Sequence, residues 1–202
     1  ANHARLARMS DYARDTNRFQ PGLSPQIHKL FAEQTQQDLE YEGIELPVTS
    51  FETRVWQLFK DGYSGFNVTV PFKNDAFDFV DEMSERAKRA RAVNTLKKLP
   101  DGRIFGDTTD GVGLLTDLVE NLKWPIENQN VLILGAGGAV RGVIEPLLDA
   151  NPSNLVIANR TMKKVEELED EFPKLTPSTF EDISGQFDII INGTSASLSG
   201  QV

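Results

Sequence analysis

The chain has 202 residues and a formal net charge of -9 at pH 7, a balance that disfavours nucleic acid or an anionic membrane surface as its main partner. It contains no cysteine, which excludes disulfides and thiolate metal sites and fits a reducing compartment, and its two histidines, His3 and His28, cannot build a multi-histidine metal site. No apolar run approaches the ~20 residues that span a bilayer and no secretory signal pattern opens the chain, so the expectation is a soluble cytoplasmic protein of one or two domains, with no membrane partner.

Residues 1–23 carry little pattern: Asp11 to Gln20 reads DYARDTNRFQ, with charges wherever a buried first strand needs apolar residues. Ser24-Pro25 starts a helix with Ile27, Leu30 and Phe31 on an apolar face, and His28 reads as a packing residue on that helix. Leu39 to Val48 reads as a strand and Phe51 to Lys60 as a helix. Phe66-Asn-Val-Thr-Val70 alternates and stops at Pro71, which cannot continue a ladder, so Asn67, Thr69 and the following Lys73 deliver polar groups to one place. Helices are predicted over 75–81 and 84–91. Val93 to Leu96 and Arg103 to Gly106 form a hairpin around Pro100-Asp-Gly102. Asp107-Thr-Thr-Asp-Gly111 then caps a helix through Leu114, Leu115, Leu118 and Leu122, and a domain boundary is placed near residue 122.

The second half is organised around Val131-Leu-Ile-Leu-Gly-Ala-Gly-Gly-Ala-Val-Arg-Gly142. Four apolar residues read as a buried parallel strand, Gly135, Gly137 and Gly138 as a turn without β-carbons, and Val140, Val143, Ile144, Leu147 and Leu148 as the face of a helix. Free N–H groups and the positive end of that helix suit a pyrophosphate, although a glycine-rich turn can also be a tight connection and nothing more. The next strand, Asn154 to Ala158, ends in Asn159-Arg160-Thr161, with Lys163 and Lys164 behind. A carboxylate placed there would hold a ribose 2′-hydroxyl and repel a 2′-phosphate, whereas a guanidinium binds the phosphate as a fork, so NADP is expected rather than NAD. A helix through Val165, Leu168 and Phe172 follows, and Phe187 to Ile191 is a third buried strand. The fold class is α/β, an N-terminal α/β substrate domain (1–122) followed by a Rossmann-type doubly wound NADP-binding domain (123–202).

A lysine and a carboxylate beside a nicotinamide can manage the proton that accompanies hydride transfer, and Lys73 with Asp110 are the candidates. By spacing alone Lys73 reads more simply as a surface lysine and Asp110 as a helix cap. Six motifs bear on this: Asn67-Val-Thr-Val-Pro-Phe-Lys73, Ala92-Val-Asn-Thr95, Gly106-Asp-Thr-Thr-Asp-Gly111, Gly135-Ala-Gly-Gly-Ala139, Asn159-Arg-Thr161 and Asn192-Gly-Thr-Ser195. In order and spacing they resemble the shikimate dehydrogenases, over roughly residues 24–202. The resemblance implies reduction of 3-dehydroshikimate to shikimate with NADPH in aromatic amino-acid biosynthesis, at a cleft flanked by the two domains, in a monomer or homodimer. It implies Lys73 and Asp110 as the catalytic pair and Ser24, Asn67, Thr69 and Asn94 as substrate contacts. It implies Gly135, Ala136, Gly137, Gly138, Ala139, Thr194 and Ser195 as further cofactor contacts, and Asn159, Arg160, Thr161 and Lys164 as the 2′-phosphate clamp.

The chain also departs from that pattern. The family opens with an apolar strand where this chain has Arg14-Asp-Thr-Asn-Arg-Phe, Gly22 stands in place of a substrate-binding serine, and Thr108 replaces an asparagine before Asp110. The resemblance further implies a segment beyond residue 202 that contacts substrate and packs back on the first domain, so that its loss exposes apolar sheet surface. Two other readings therefore stand beside the first: a non-catalytic relative that binds shikimate and NADP, and a quinate-type dehydrogenase.

Overall fold

The first strand, β1 (Ala4–Asp11), lies ahead of the stretch in which sequence pattern placed no strand. The structure, a computed structural model, describes residues 4–11 and 23–194; the atypical residues 14–19 and Gly22 fall outside it. β1 runs parallel between β2 (Leu39–Leu46) and β3 (Gly65–Val68), with Leu6 opposite Tyr41 and Gly65, and Met9 opposite Ile44 and Val68. Ala7 and Met9 are fully buried on one face. The strand is hard to see in sequence because arginine interrupts it. Arg5 donates to the Asp61 carbonyl at 3.1 Å and the Tyr63 hydroxyl at 3.1 Å, and its guanidinium lies over the Tyr63 ring, 4.3 Å from the centroid.

The first unit, Ala1–Thr108, is completed by α1 (Ser24–Thr35), α2 (Phe51–Lys60), α3 (Lys73–Phe79), the two-residue strand β4 (Glu82–Met83), α4 (Glu85–Ala90), β5 (Thr95–Lys98) and β6 (Ile104–Asp107). Its mixed sheet has the order β2-β1-β3-β5-β6-β4, and β5 and β6 pair antiparallel as the predicted hairpin. Phe51, Val55, Leu58 and Phe59 of α2 supply the buried face expected of them and pack with Phe66, Phe72 and Leu96. α1 differs from its reading. Ile27, Leu30 and Phe31 are exposed, Ala32 is its buried residue, and His28 stacks face to face on Tyr41 with centroids 3.8 Å apart. α3 begins on Lys73, two residues earlier than predicted.

The second unit, Thr109–Val202, holds α5 (Asp110–Thr116), a π-helical turn over Asp117–Asn121, β7 (Asn130–Leu134), α6 (Gly138–Asp149), β8 (Asn154–Ala158), α7 (Met162–Glu171), β9 (Thr176–Ser178) and β10 (Ile189–Asn192). Among the described residues its four strands are all parallel, in the order β10-β7-β8-β9. Counted along the unit that is 4-1-2-3, the beginning of a Rossmann-type doubly wound sheet, whose order reverses between β7 and β10. Val131, Ile133, Leu155 and Ile157 are buried against Val140, Ile144, Leu147, Val165 and Leu168 of the helices. Ile190 on β10 is 62% exposed. The division at Thr108 and Thr109 lies upstream of the boundary expected near 122, because α5 packs on α6 within the second unit. Among the described residues no helix is long and apolar enough to cross a membrane.

Candidate active site

In the first unit the predicted substrate residues converge at the end of β3. Thr69 leaves the strand, its N–H donating to the Met9 carbonyl at 3.2 Å and its own carbonyl accepting from Phe72 N–H at 3.0 Å across a turn that contains cis Pro71. That turn delivers Lys73, half-buried, as the first residue of α3, and the Lys73 carbonyl accepts from Val93 N–H at 3.1 Å. Asn94 is 7% exposed, and its main chain is held on both sides: its carbonyl accepts from Val68 N–H at 2.7 Å and its N–H donates to the Asp107 carbonyl at 2.9 Å.

The side chains form one directed series. The Tyr41 hydroxyl donates to Asn67 Oδ1 at 2.8 Å, Asn67 Nδ2 to Thr95 Oγ1 at 3.4 Å, and Thr95 Oγ1 to Asn94 Oδ1 at 2.8 Å. Such a series fixes which end of each amide is donor and which acceptor. Ser24 joins it through its carbonyl, 2.9 Å from His28 Nδ1, the ring nitrogen that therefore carries the proton, with the imidazole stacked on Tyr41. Tyr41 and Thr95 were not among the predicted contacts. Thr95 stands inside a motif already singled out, so its signal was present; Tyr41 was hidden as one residue of an alternating strand.

Asp107 closes this region. It accepts from Ser84 Oγ at 2.5 Å, Arg86 Nε at 2.7 Å and Thr108 N–H at 2.8 Å, and a second Arg86 nitrogen pairs with its other oxygen. Burial, the largest single influence, pushes its carboxyl up, but the Arg86 and Ser84 hydrogen bonds together with the Arg86 charge hold it below the usual aspartate value. Thr108, the substituted position, is 3% exposed.

In the second unit the glycine turn lies at the switch between β7 and β10. Gly135 has φ +102°, and a β-carbon there would sit 3.0 Å from the Gly193 carbonyl oxygen and 3.2 Å from Thr194 N, so the two strand ends close on each other. Gly193 in turn leaves no room beneath it, since its β-carbon would lie 2.4 Å from Val140 Cγ2. Gly137 and Gly138 are the opposite case: around both, the β-carbon position is open space. Ala136 is half-buried and Ala139 exposed, and no acidic residue stands in the first turn of α6. A closed floor, an open rim and the positive end of a twelve-residue helix form a cradle that fits a pyrophosphate.

At the end of β8, Asn159 N–H donates to the Ser178 carbonyl at 3.2 Å and Asn159 Nδ2 to the Thr161 carbonyl at 3.0 Å. This turn presents Arg160, Thr161 and Lys164, all exposed, at the start of α7, again without an acidic residue in the first turn. The donor set fits a dianionic phosphate. Thr194 donates through both N–H (3.0 Å) and hydroxyl (2.8 Å) to Asn192 Oδ1, while Ser195 lies outside the described residues. Asp110, the other member of the proposed pair, opens α5 in this second unit.

Comparison with known proteins agrees with both halves. Residues 17–96 match the model of the shikimate dehydrogenase substrate binding domain, and residues 117–199 match that of shikimate / quinate 5-dehydrogenase. The chain is 53% identical over 185 residues to shikimate dehydrogenase (NADP(+)) of Hydrogenovibrio crunogenus, covering 89% of this chain and 66% of the relative. It is 47% identical over 197 residues to that of Hahella chejuensis, covering 96% and 73%. The chain thus spans about two thirds of the length of these curated relatives. Among solved structures, shikimate 5-dehydrogenase from Thermus thermophilus in complex with NADP(H) and shikimate superposes with a TM-score of 0.81 at 28% identity, covering 95% of this chain and 69% of that one. With sequence, strand order and glycine turn in agreement, the chain belongs to the shikimate dehydrogenase family.

Proposed function

We propose that this chain is an NADP-dependent oxidoreductase that interconverts 3-dehydroshikimate and shikimate, a step of the shikimate pathway to aromatic amino acids. The observation that carries the proposal is the division of chemistry between the units. The first holds a directed polar series suited to a polyhydroxylated acid; the second holds an anion cradle followed by a basic turn. The first unit binds the substrate and the second binds NADP. Ser24, Asn67, Thr69 and Asn94 contact hydroxyl and carboxylate groups of the substrate, which neutral donors and acceptors discriminate well. Gly135 to Ala139, Thr194 and Ser195 line the dinucleotide, and Asn159, Arg160, Thr161 and Lys164 hold its 2′-phosphate. Bound NADP supplies the site that accepts or donates the hydride. Lys73 stabilises the oxygen on which negative charge develops, and Asp110 orients that lysine and shares the proton. The cysteine-free sequence supports a cytoplasmic setting, in which the chain acts as a monomer or homodimer.

The test is NADP+ reduction with shikimate, followed by the absorbance of NADPH, on this chain and on Lys73→Ala. Turnover that falls by about two to four orders of magnitude in the variant, with NADP+ binding unchanged, supports the assignment. Binding of NADP+ and shikimate without turnover would instead make the chain a binding protein of the same family.

A further inference from the structure

The second residue of α5 makes the tightest backbone approach of any glycine described. A β-carbon on Gly111 would lie 2.1 Å from the carbonyl oxygen of Gly142 and 2.7 Å from Pro146 Cγ. Both partners belong to α6, and Gly142 is itself buried and without a side chain. Pro146 stands four residues after Gly142 and has no N–H, so it cannot give the hydrogen bond that an α-helix would direct to the Gly142 carbonyl. The carbonyl that Pro146 fails to engage is the one Gly111 meets, with no space between them for a β-carbon. The approach is particular to this position. Gly113, two residues along the same helix, faces open space.

The seat has a chemical consequence, which rests on the functional reading above. Asp110 immediately precedes Gly111, and α6 is the helix whose first turn forms the pyrophosphate cradle. We infer that Gly111 is a positioning residue, seated on the Gly142 carbonyl beside Pro146, so that the helix that meets the dinucleotide also fixes where the Asp110 carboxylate stands. A side chain at 111 lifts the start of α5 off α6 and displaces that carboxylate, while the cradle at Gly137 and Gly138 stays intact.

The test compares Gly111→Ala, Pro146→Ala and the control Gly113→Ala, using hydrogen exchange with and without NADP+ and steady-state kinetics with shikimate. In the unmodified chain NADP+ is expected to slow exchange at the 135–140 loop and also in Asp110–Thr116. In Gly111→Ala the loop protection persists and the α5 protection is lost, and kcat falls at least about tenfold with the dissociation constant of NADP+ within about twofold. Pro146→Ala favours the helix, so it folds; by restoring the N–H it draws the Gly142 carbonyl back into the ladder and lowers kcat in the same direction. Gly113→Ala leaves every readout unchanged. Protection of the loop alone in the unmodified chain, or full kcat in Pro146→Ala, overturns the inference. Full turnover in Asp110→Asn overturns the underlying reading instead, and the two failures are told apart because exchange does not depend on turnover.

Discussion

Asp107 is one carboxylate that gathers polar groups from separate stretches of the first unit. Its oxygens gather Ser84, Arg86 and the Thr108 N–H, while its carbonyl anchors Asn94, so the proposed substrate contact Asn94 and the last residue of the first unit share one support. The Arg86 side chain is 38% exposed, so the pair is partly screened, and Arg86→Ala is expected to destabilise the first unit by about 1–2 kcal/mol at neutral pH. The sign of the pH dependence follows from the lowered carboxyl. A group whose folded value is depressed stabilises above its unfolded value, about 3.9 for aspartate, and loses that contribution as pH falls through the folded value. Urea midpoints of the two proteins should therefore differ most at neutral pH and converge as pH drops below about 4. A difference that stays constant across that range would mean that Arg86 acts through packing alone.

At the level of elements, legibility followed the apolar run. Val131 to Leu134 and Leu155 to Ala158 are central strands buried on both faces, so every residue speaks for the assignment, and the glycine turn between strand and α6 could be placed residue by residue. The proposed site residues Asn67, Thr69 and Lys73 stand in one motif that is visible in sequence, because a strand and a proline turn space them. Three kinds of element were not readable. β4 has two residues and β9 has three with a proline among them, too short for any period. α5 falls in the second unit, whereas the sequence reading set the boundary near 122; its packing on α6 includes Gly111 meeting Gly142, a contact with no local signature. β1 was missed because its inward residues are Ala7 and Met9, and Arg5 and Arg8 break any apolar run in the sequence. Met9 tests that last point. It is fully buried, and Met9→Ala should cost about 2–4 kcal/mol, read as a lower urea midpoint with no change in slope. A surface-like change below about 0.5 kcal/mol would remove β1 from the centre of the sheet.

For the whole molecule, charge and ligand pull in opposite directions. The chain carries a net charge of -9, yet the proposed cofactor is a polyanion, so attraction has to come from the local group Arg160, Lys163 and Lys164 at the head of α7. NADP+ bound to the folded second unit stabilises that unit by mass action, about 2.7 kcal/mol at a hundred times its dissociation constant. Hydrogen exchange resolves where the gain falls. Slowly exchanging amides around Ile133 and Ile157 should gain this protection, and those around Phe66 in the first unit should gain it only with shikimate. Arg160→Ala removes charged hydrogen bonds worth about 1.5–3 kcal/mol, which is roughly a ten- to hundredfold weaker NADP+ site. At the same NADP+ concentration the second unit then keeps only about 0.4–1.4 kcal/mol of protection. NAD+ lacks the 2′-phosphate, so its affinity should be the same with and without Arg160. If the variant instead weakens both dinucleotides equally, Arg160 serves the shared pyrophosphate or adenine, and the preference for NADP has to be sought in Asn159, Thr161 and Lys164.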